Sequence, residues 1–206
     1  MLGLGSKILT RWGNTKALVF AIGIGLTLGG TPIAQGAECS NKTPATWLPA
    51  IVTSPDPTDR QAIMDLIHSY LWSLDERNIA NFTPLFTEDA SYETCRGGGA
   101  VQIFSAGARN GIVQYIETQF ADLVKKMFQT RHVESNTLLH SRDKDKDTVD
   151  GKSTLLVSIQ RAVEAGIPEY DYTAVLLATF KRSENGWRIA KVIIITDTPE
   201  VEERAR

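Results

Sequence analysis

"YTAVLLATFKRSENGWRIAKVIII", residues 172–195, holds two apolar, β-branched runs on either side of Asn185-Gly186. That dipeptide tolerates the left-handed backbone of a tight hairpin turn. The runs predict two antiparallel strands, over residues 170–182 and 187–197. Toward the N-terminus the same period of two recurs over residues 152–164 and 128–140. Asp150-Gly151 is the expected turn between that earlier pair, and "IPEYD" gives the middle connection a proline. Four such runs in succession predict an antiparallel meander.

Ahead of the strands the period is helical. "QAIMDLIHSYLWSLDERN" spaces Ile63, Leu66, Ile67, Tyr70, Leu71 and Leu74 by threes and fours, an amphipathic helix. Thr58 and Gln61 form a capping-box pattern at its start. A shorter helix is expected over residues 78–86, with Ile79, Phe82, Leu85 and Phe86 inward, and a third over residues 110–124. "DASYET" reads as a short strand. "RGGGAVQIFSAG" reads as a glycine-rich loop with a weak edge strand; lacking a GK[ST] ending, it is no phosphate loop. Helices followed by a meander give an α+β class. The expected form is a curled, cone-shaped antiparallel sheet of four main strands plus one or two short ones. Three N-terminal helices pack on it and enclose an apolar pocket, the default ligand site. The domain spans residues 58–198, and a charged tail covers 199–206.

The 206 residues carry a formal net charge of −2, which leaves no electrostatic footprint for nucleic acid. The run "SRDKDKDTVDG", residues 141–151, alternates in sign and reads as a solvated turn. Lys7, Arg11 and Lys16 precede the apolar "ALVFAIGIGLTLGG", and Ala34 and Gly36 suit a cleavage site. Residues 1–37 are therefore expected to be a secretory signal peptide, sending the protein to the periplasm or the medium. The rival is an uncleaved anchor. No membrane partner is expected after cleavage. Residues 38–57, with Pro44, Pro49, Pro55 and Pro57, form an arm or linker. In an oxidising compartment the two cysteines, Cys39 and Cys95, allow one disulfide; two separate thiols are the alternative. No CxxC or HxxxH spacing exists, so no metal site is expected. No cofactor is expected either.

Candidate chemistry is sparse. Tyr70 lies near the centre of the apolar stripe, and a buried hydroxyl needs a partner. Asp75 falls about 110° from the stripe centre, at the rim of the first helix. His132 shares one strand face with Thr130, Glu134 and Asn136, while Arg131 and Val133 take the other. Neither face is cleanly apolar. His132 is thus either a base lining a polar pocket or one more residue on a wet face. His68 and His140 are expected to be exposed.

"AIMDLIHSYLWSLDERNIANFTPLFTEDASYE" resembles the opening of SnoaL-like proteins of the nuclear transport factor two superfamily, with "LD", an aromatic short helix and "LFxxDAxY" ending on Tyr92. "TRHVESNTLL" resembles their histidine strand, and the hairpin of residues 172–195 resembles their last two strands. The likeness covers roughly residues 57–197. In site pattern it is nearest to scytalone dehydratase, hexachlorocyclohexane dehydrochlorinase and bile acid 7α-dehydratase. The resemblance implies Asp75 orienting His132 as a general base, with Tyr70 in the pocket. It implies an apolar or carbonyl-bearing small-molecule substrate, contacted by Tyr92, Asn136 and Gln160. Scytalone dehydratase has a second histidine on the next strand, and "STLLVSIQRAVEA" has none. The functions so implied are a lyase or isomerase, a binding module of the same fold, or a domain forming homodimers through an outer sheet face containing Val175, Leu177, Val192 and Ile194.

Overall fold

The first helix begins on Asp56 rather than on Thr58. In the computed structural model, which describes residues 45–96, 101–161 and 167–197 (101–103 by backbone alone), α1 runs Pro57–Asp75. The expected signal segment, Cys39, the glycines after Arg96 and the C-terminal tail lie outside the described residues. The Asp56 carboxylate accepts the amides of Thr58 and Asp59 at 3.0 Å each. Pro57 stands in the first turn, where no donor is needed. Gln61 does not reach back to a cap; it donates to Asp65 at 2.7 Å. The predicted stripe is buried, and Ser73 and Asp75 are buried with it.

At its C-terminus α1 closes tightly. Asn78 N–H donates to the Ser73 carbonyl and Arg77 N–H to the Leu74 carbonyl. That is a Schellman ending. The left-handed residue, usually glycine, is Arg77 with φ of 53°.

α2 (Ile79–Phe82) runs into a 3-10 turn, Thr83–Leu85, so the second helix is half its expected length. Pro84 accounts for this, because it cannot supply an interior helical N–H. Phe82 and Phe86 are fully buried, with ring centroids 4.8 Å apart. β1 (Phe86–Arg96) is longer than the "DASYET" strand because it is paired on both edges. After β2 (Val101–Gly107) and α3 (Arg109–Lys125) come β3 (Phe128–Arg142), β4 (Asp145–Arg161), β5 (Glu169–Ser183) and β6 (Gly186–Thr196). The curled sheet has the order β2-β1-β6-β5-β4-β3. Among the described residues only the β1–β6 pairing is parallel.

Asp150-Gly151 is not a turn. The β3–β4 hairpin reverses between Arg142 and Asp145, inside the charged run. Gly151 serves packing instead: a Cβ there would stand 2.9 Å from the Phe180 ring and 3.1 Å from Leu139. The β5–β6 turn falls one residue before the expected dipeptide, between Ser183 and Gly186, whose φ is 94°.

The inner face of the sheet and the helices bury one large core, from Ile63 and Tyr70 to Phe180 and Ile189. A smaller cluster on the other face joins Cys95, Leu177, Ile193 and Ile195 to Trp47 and Val175. Trp47 comes from the proline-rich arm, and its indole N–H donates to the Gly151 carbonyl at 2.9 Å. Val175 and Leu177 lie outward as expected, but Val192 and Ile194 belong to the main core. The register decides it, since Leu177 pairs with Ile193 and Val175 with Ile195. Residues 192–195 are all apolar, so alternation could not set their parity. Cys95 is fully buried in the outer cluster and disulfide-bonded.

Candidate active site

The C-terminus of α1 sets a carboxylate against the start of β3. Asp75 Oδ1 lies 2.6 Å from His132 Nδ1. Asp75 Oδ2 accepts the backbone N–H of His132 at 3.0 Å, and Thr130 Oγ1 donates to Oδ1 at 3.2 Å. The side chains of Asp75 and His132 are only 5% and 11% exposed. Burial pushes the Asp75 carboxyl up, but the His132 ring, the His132 N–H and Thr130 outweigh it. The group is held below its ordinary value. An ionised Asp75 fixes the Nδ1–H tautomer and leaves Nε2 as the basic nitrogen. Nε2 makes no hydrogen bond among the described residues.

A helix C-terminus is a poor place for an anion, and the rim position on α1 gave no sign of burial. The surrounding bonds explain why Asp75 is tolerated there. Arg77, in its left-handed conformation, donates to the Phe128 carbonyl at 2.7 Å and to Gln129 Oε1 at 3.0 Å. Gln129 Nε2 in turn donates to the Asp75 carbonyl at 2.8 Å. This latch fastens the end of α1 to the start of β3. Arg77→Gly keeps the backbone conformation and removes the latch. Its expected result is a thermal midpoint within a few degrees of wild type and a turnover rate about tenfold lower, from misplacement of the dyad. Equal rates would show that Arg77 is only a helix ending.

Lowering pH tests the carboxylate separately. Because the folded Asp75 value is depressed, its stabilisation is complete above about pH 4 and is lost as pH falls through the folded value. Urea titrations between about pH 5 and pH 3 should show a steeper stability loss for wild type than for Asp75→Asn. Parallel curves would contradict the assignment.

The other candidates fall in different places. Tyr70 and Tyr92 come together, their hydroxyls 2.9 Å apart and buried. Burial raises both above the ordinary phenol value. Asn136 is exposed, with φ of 57°, at an irregularity in β3. It is brought to none of the other candidates. Gln160 is half-buried and paired with Gln129 across the β3–β4 ladder. His68 is exposed as expected. His140 is half-buried instead, accepting the Thr53 N–H at 3.0 Å, because the arm lies along this edge.

Some site residues escaped the sequence reading. Glu134, on a face that read as wet, has a side chain only 7% exposed, 3.9 Å from His68. One of its oxygens is buried without a hydrogen-bond partner among the described residues. Tyr172 lies in the row of His132: His132 pairs with Val157, and Val157 with Tyr172. Its hydroxyl is pushed up to about 12, by burial first and then by Asp171, Tyr115 and Asp75. Tyr115 stacks on Phe104 with centroids 3.5 Å apart. The Tyr-Asp-Tyr stretch at residues 170–172, set before the apolar run of β5, was the available signal for Tyr172.

Residues 56–193 match the model of the SnoaL-like domain. The chain belongs to that family. No curated protein sequence matches it. Solved structures with the same fold include ActVI-ORFA from Streptomyces coelicolor, 20% identical, with a TM-score of 0.56 over 69% of this chain and 96% of that one. Aln2 from another Streptomyces is 15% identical, with a TM-score of 0.59 over 70% and 95%. A Nostoc punctiforme protein with a cystatin-like fold is 18% identical, with a TM-score of 0.54 over 72% and 98%. At these identities the SnoaL-like domain shares a fold with its neighbours; its chemistry has to be argued from its own side chains.

Proposed function

We propose that this SnoaL-like domain is a cofactor-independent lyase or isomerase acting on an apolar, carbonyl-bearing small molecule. His132 Nε2 removes a proton next to the carbonyl, and Asp75 stabilises the imidazolium that forms. The observation that carries this reading is the 2.6 Å contact between two groups withdrawn from solvent. A charge pair is stronger where water is scarce. The Tyr70–Tyr92 pair supplies hydroxyls for a substrate oxygen in the same core. The nearness to dehydratases belongs to this proposal, as does export. The disulfide at Cys95 supports an oxidising compartment.

The test is proton exchange in heavy water. A panel of cyclic and aryl ketones, with and without a β-hydroxyl, is incubated with the protein and followed by proton NMR. The expected result is enzyme-dependent loss of an α-proton signal, with or without elimination. A ketone that binds tightly yet keeps its α-protons would make the domain a binding module instead.

A further inference from the structure

The β5 strand carries an extra residue beside the dyad. Val157 pairs with Tyr172 and Ser158 with Tyr170, so Asp171 is left without a counterpart on β4. Such a bulge re-aims a side chain out of the regular alternation. The place is specific. Val157 pairs in turn with His132, which puts the bulge two strands from the imidazole in the same row. The intervening residue, Val157, is buried and cannot carry a proton. Asp171 keeps much of its surface in solvent, but its carboxyl is partly desolvated and lies within electrostatic reach of His132. Resting on the lyase reading above, we propose that Asp171 is the general acid of an elimination for which His132 is the base.

The protons and electron pairs balance. The C–H bond next to the carbonyl breaks, and its proton goes to His132 Nε2. The electron pair becomes the carbon–carbon double bond. The bond to the β-hydroxyl breaks, and its pair goes to oxygen. Asp171 supplies the proton that lets this oxygen depart as water. The cycle closes when the His132 proton passes to the Asp171 carboxylate, directly or through water.

Two features make Asp171 a better donor than Tyr70. The Tyr70 hydroxyl is bonded to Tyr92 and is driven by burial above the ordinary phenol range, so it gives up a proton reluctantly. The Asp171 carboxyl is raised by burial, with His132 pulling it down, which keeps it protonated to higher pH than an ordinary aspartate. His132 is the charged group that acts on the Asp171 carboxyl; the neighbouring Tyr172 hydroxyl on β5 is acted on by Asp171, by Tyr115 on α3 and by Asp75 at the end of α1.

The experiment uses two probes on the whole protein. 5-Nitrobenzisoxazole needs only a base, because its phenoxide-type leaving group departs unaided. 4-Hydroxy-4-phenylbutan-2-one must lose water and needs an acid as well. Asp171→Asn is expected to slow dehydration about 100-fold and leave benzisoxazole opening within about threefold. His132→Ala is expected to lose both. Asp171→Glu, which keeps a carboxyl, should recover part of the dehydration. In wild type, dehydration should fall as pH rises through the Asp171 titration, since only the protonated acid donates, and Asp171→Asn should lack that limb. Equal loss on both probes, or loss on neither, overturns the role of Asp171. A wild-type protein inert toward both overturns the lyase reading first, and this role with it.

Discussion

His132→Ala lowers turnover of any accepted substrate by about 10²–10⁴-fold while leaving the fold in place. That range is what a positioned general base contributes. The fold survives because Asp75 keeps the backbone N–H at residue 132 and the Thr130 hydroxyl when the ring is gone. Asp75→Asn gives a loss of similar direction for another reason. The ring remains, but the negative charge that stabilises the imidazolium is removed. The double variant should be little worse than either single one, since the two groups act as a unit. Steady-state rates on a ketone from the exchange panel, alongside thermal unfolding, would check all three. A His132→Ala protein with wild-type turnover ends the case for general-base catalysis here.

Phe180→Ala should cost about 3–5 kcal/mol of stability, the range for deleting a buried aromatic ring. Phe180 is fully buried, and its ring occupies the space where a side chain at Gly151 would project. Gly151→Ala approaches the same spot from the other side. With its methyl 2.9 Å from the ring, it should cost about 1–3 kcal/mol by overpacking. The pair makes a double-mutant cycle with a defined sign. The alanine methyl at residue 151 enters the hole left by the ring, so the double variant should lose less than the sum of the singles. Chemical denaturation reads it; strict additivity would mean that the two positions do not compete for space.

The elements themselves were legible because burial imposes a period. The α1 stripe and the β5–β6 hairpin were read almost to their ends, since core packing dictates which side of each is apolar. Boundaries set by polar atoms were harder. Asp56 displaced Thr58 as the cap, and the charged run at residues 141–151 proved to be mostly strand. The Asp75–His132 pairing could not come from periodicity at all. It depends on how α1 crosses β3, and a family likeness supplied what spacing could not. Asp171 stayed hidden for a related reason. A bulge breaks the very alternation from which orientation is inferred.

A single left-handed residue explains why β3 looked ambiguous. Before Asn136, the even-numbered Thr130, His132 and Glu134 lie on the side of α1. Beyond it the odd-numbered Leu139 and Ser141 take that side, because two residues of β3 oppose one of β4 there. The inserted residue works as a phase shifter: it divides one ribbon into a half that turns Thr130, His132 and Glu134 toward α1 and a half that turns Leu139 and Ser141 the same way.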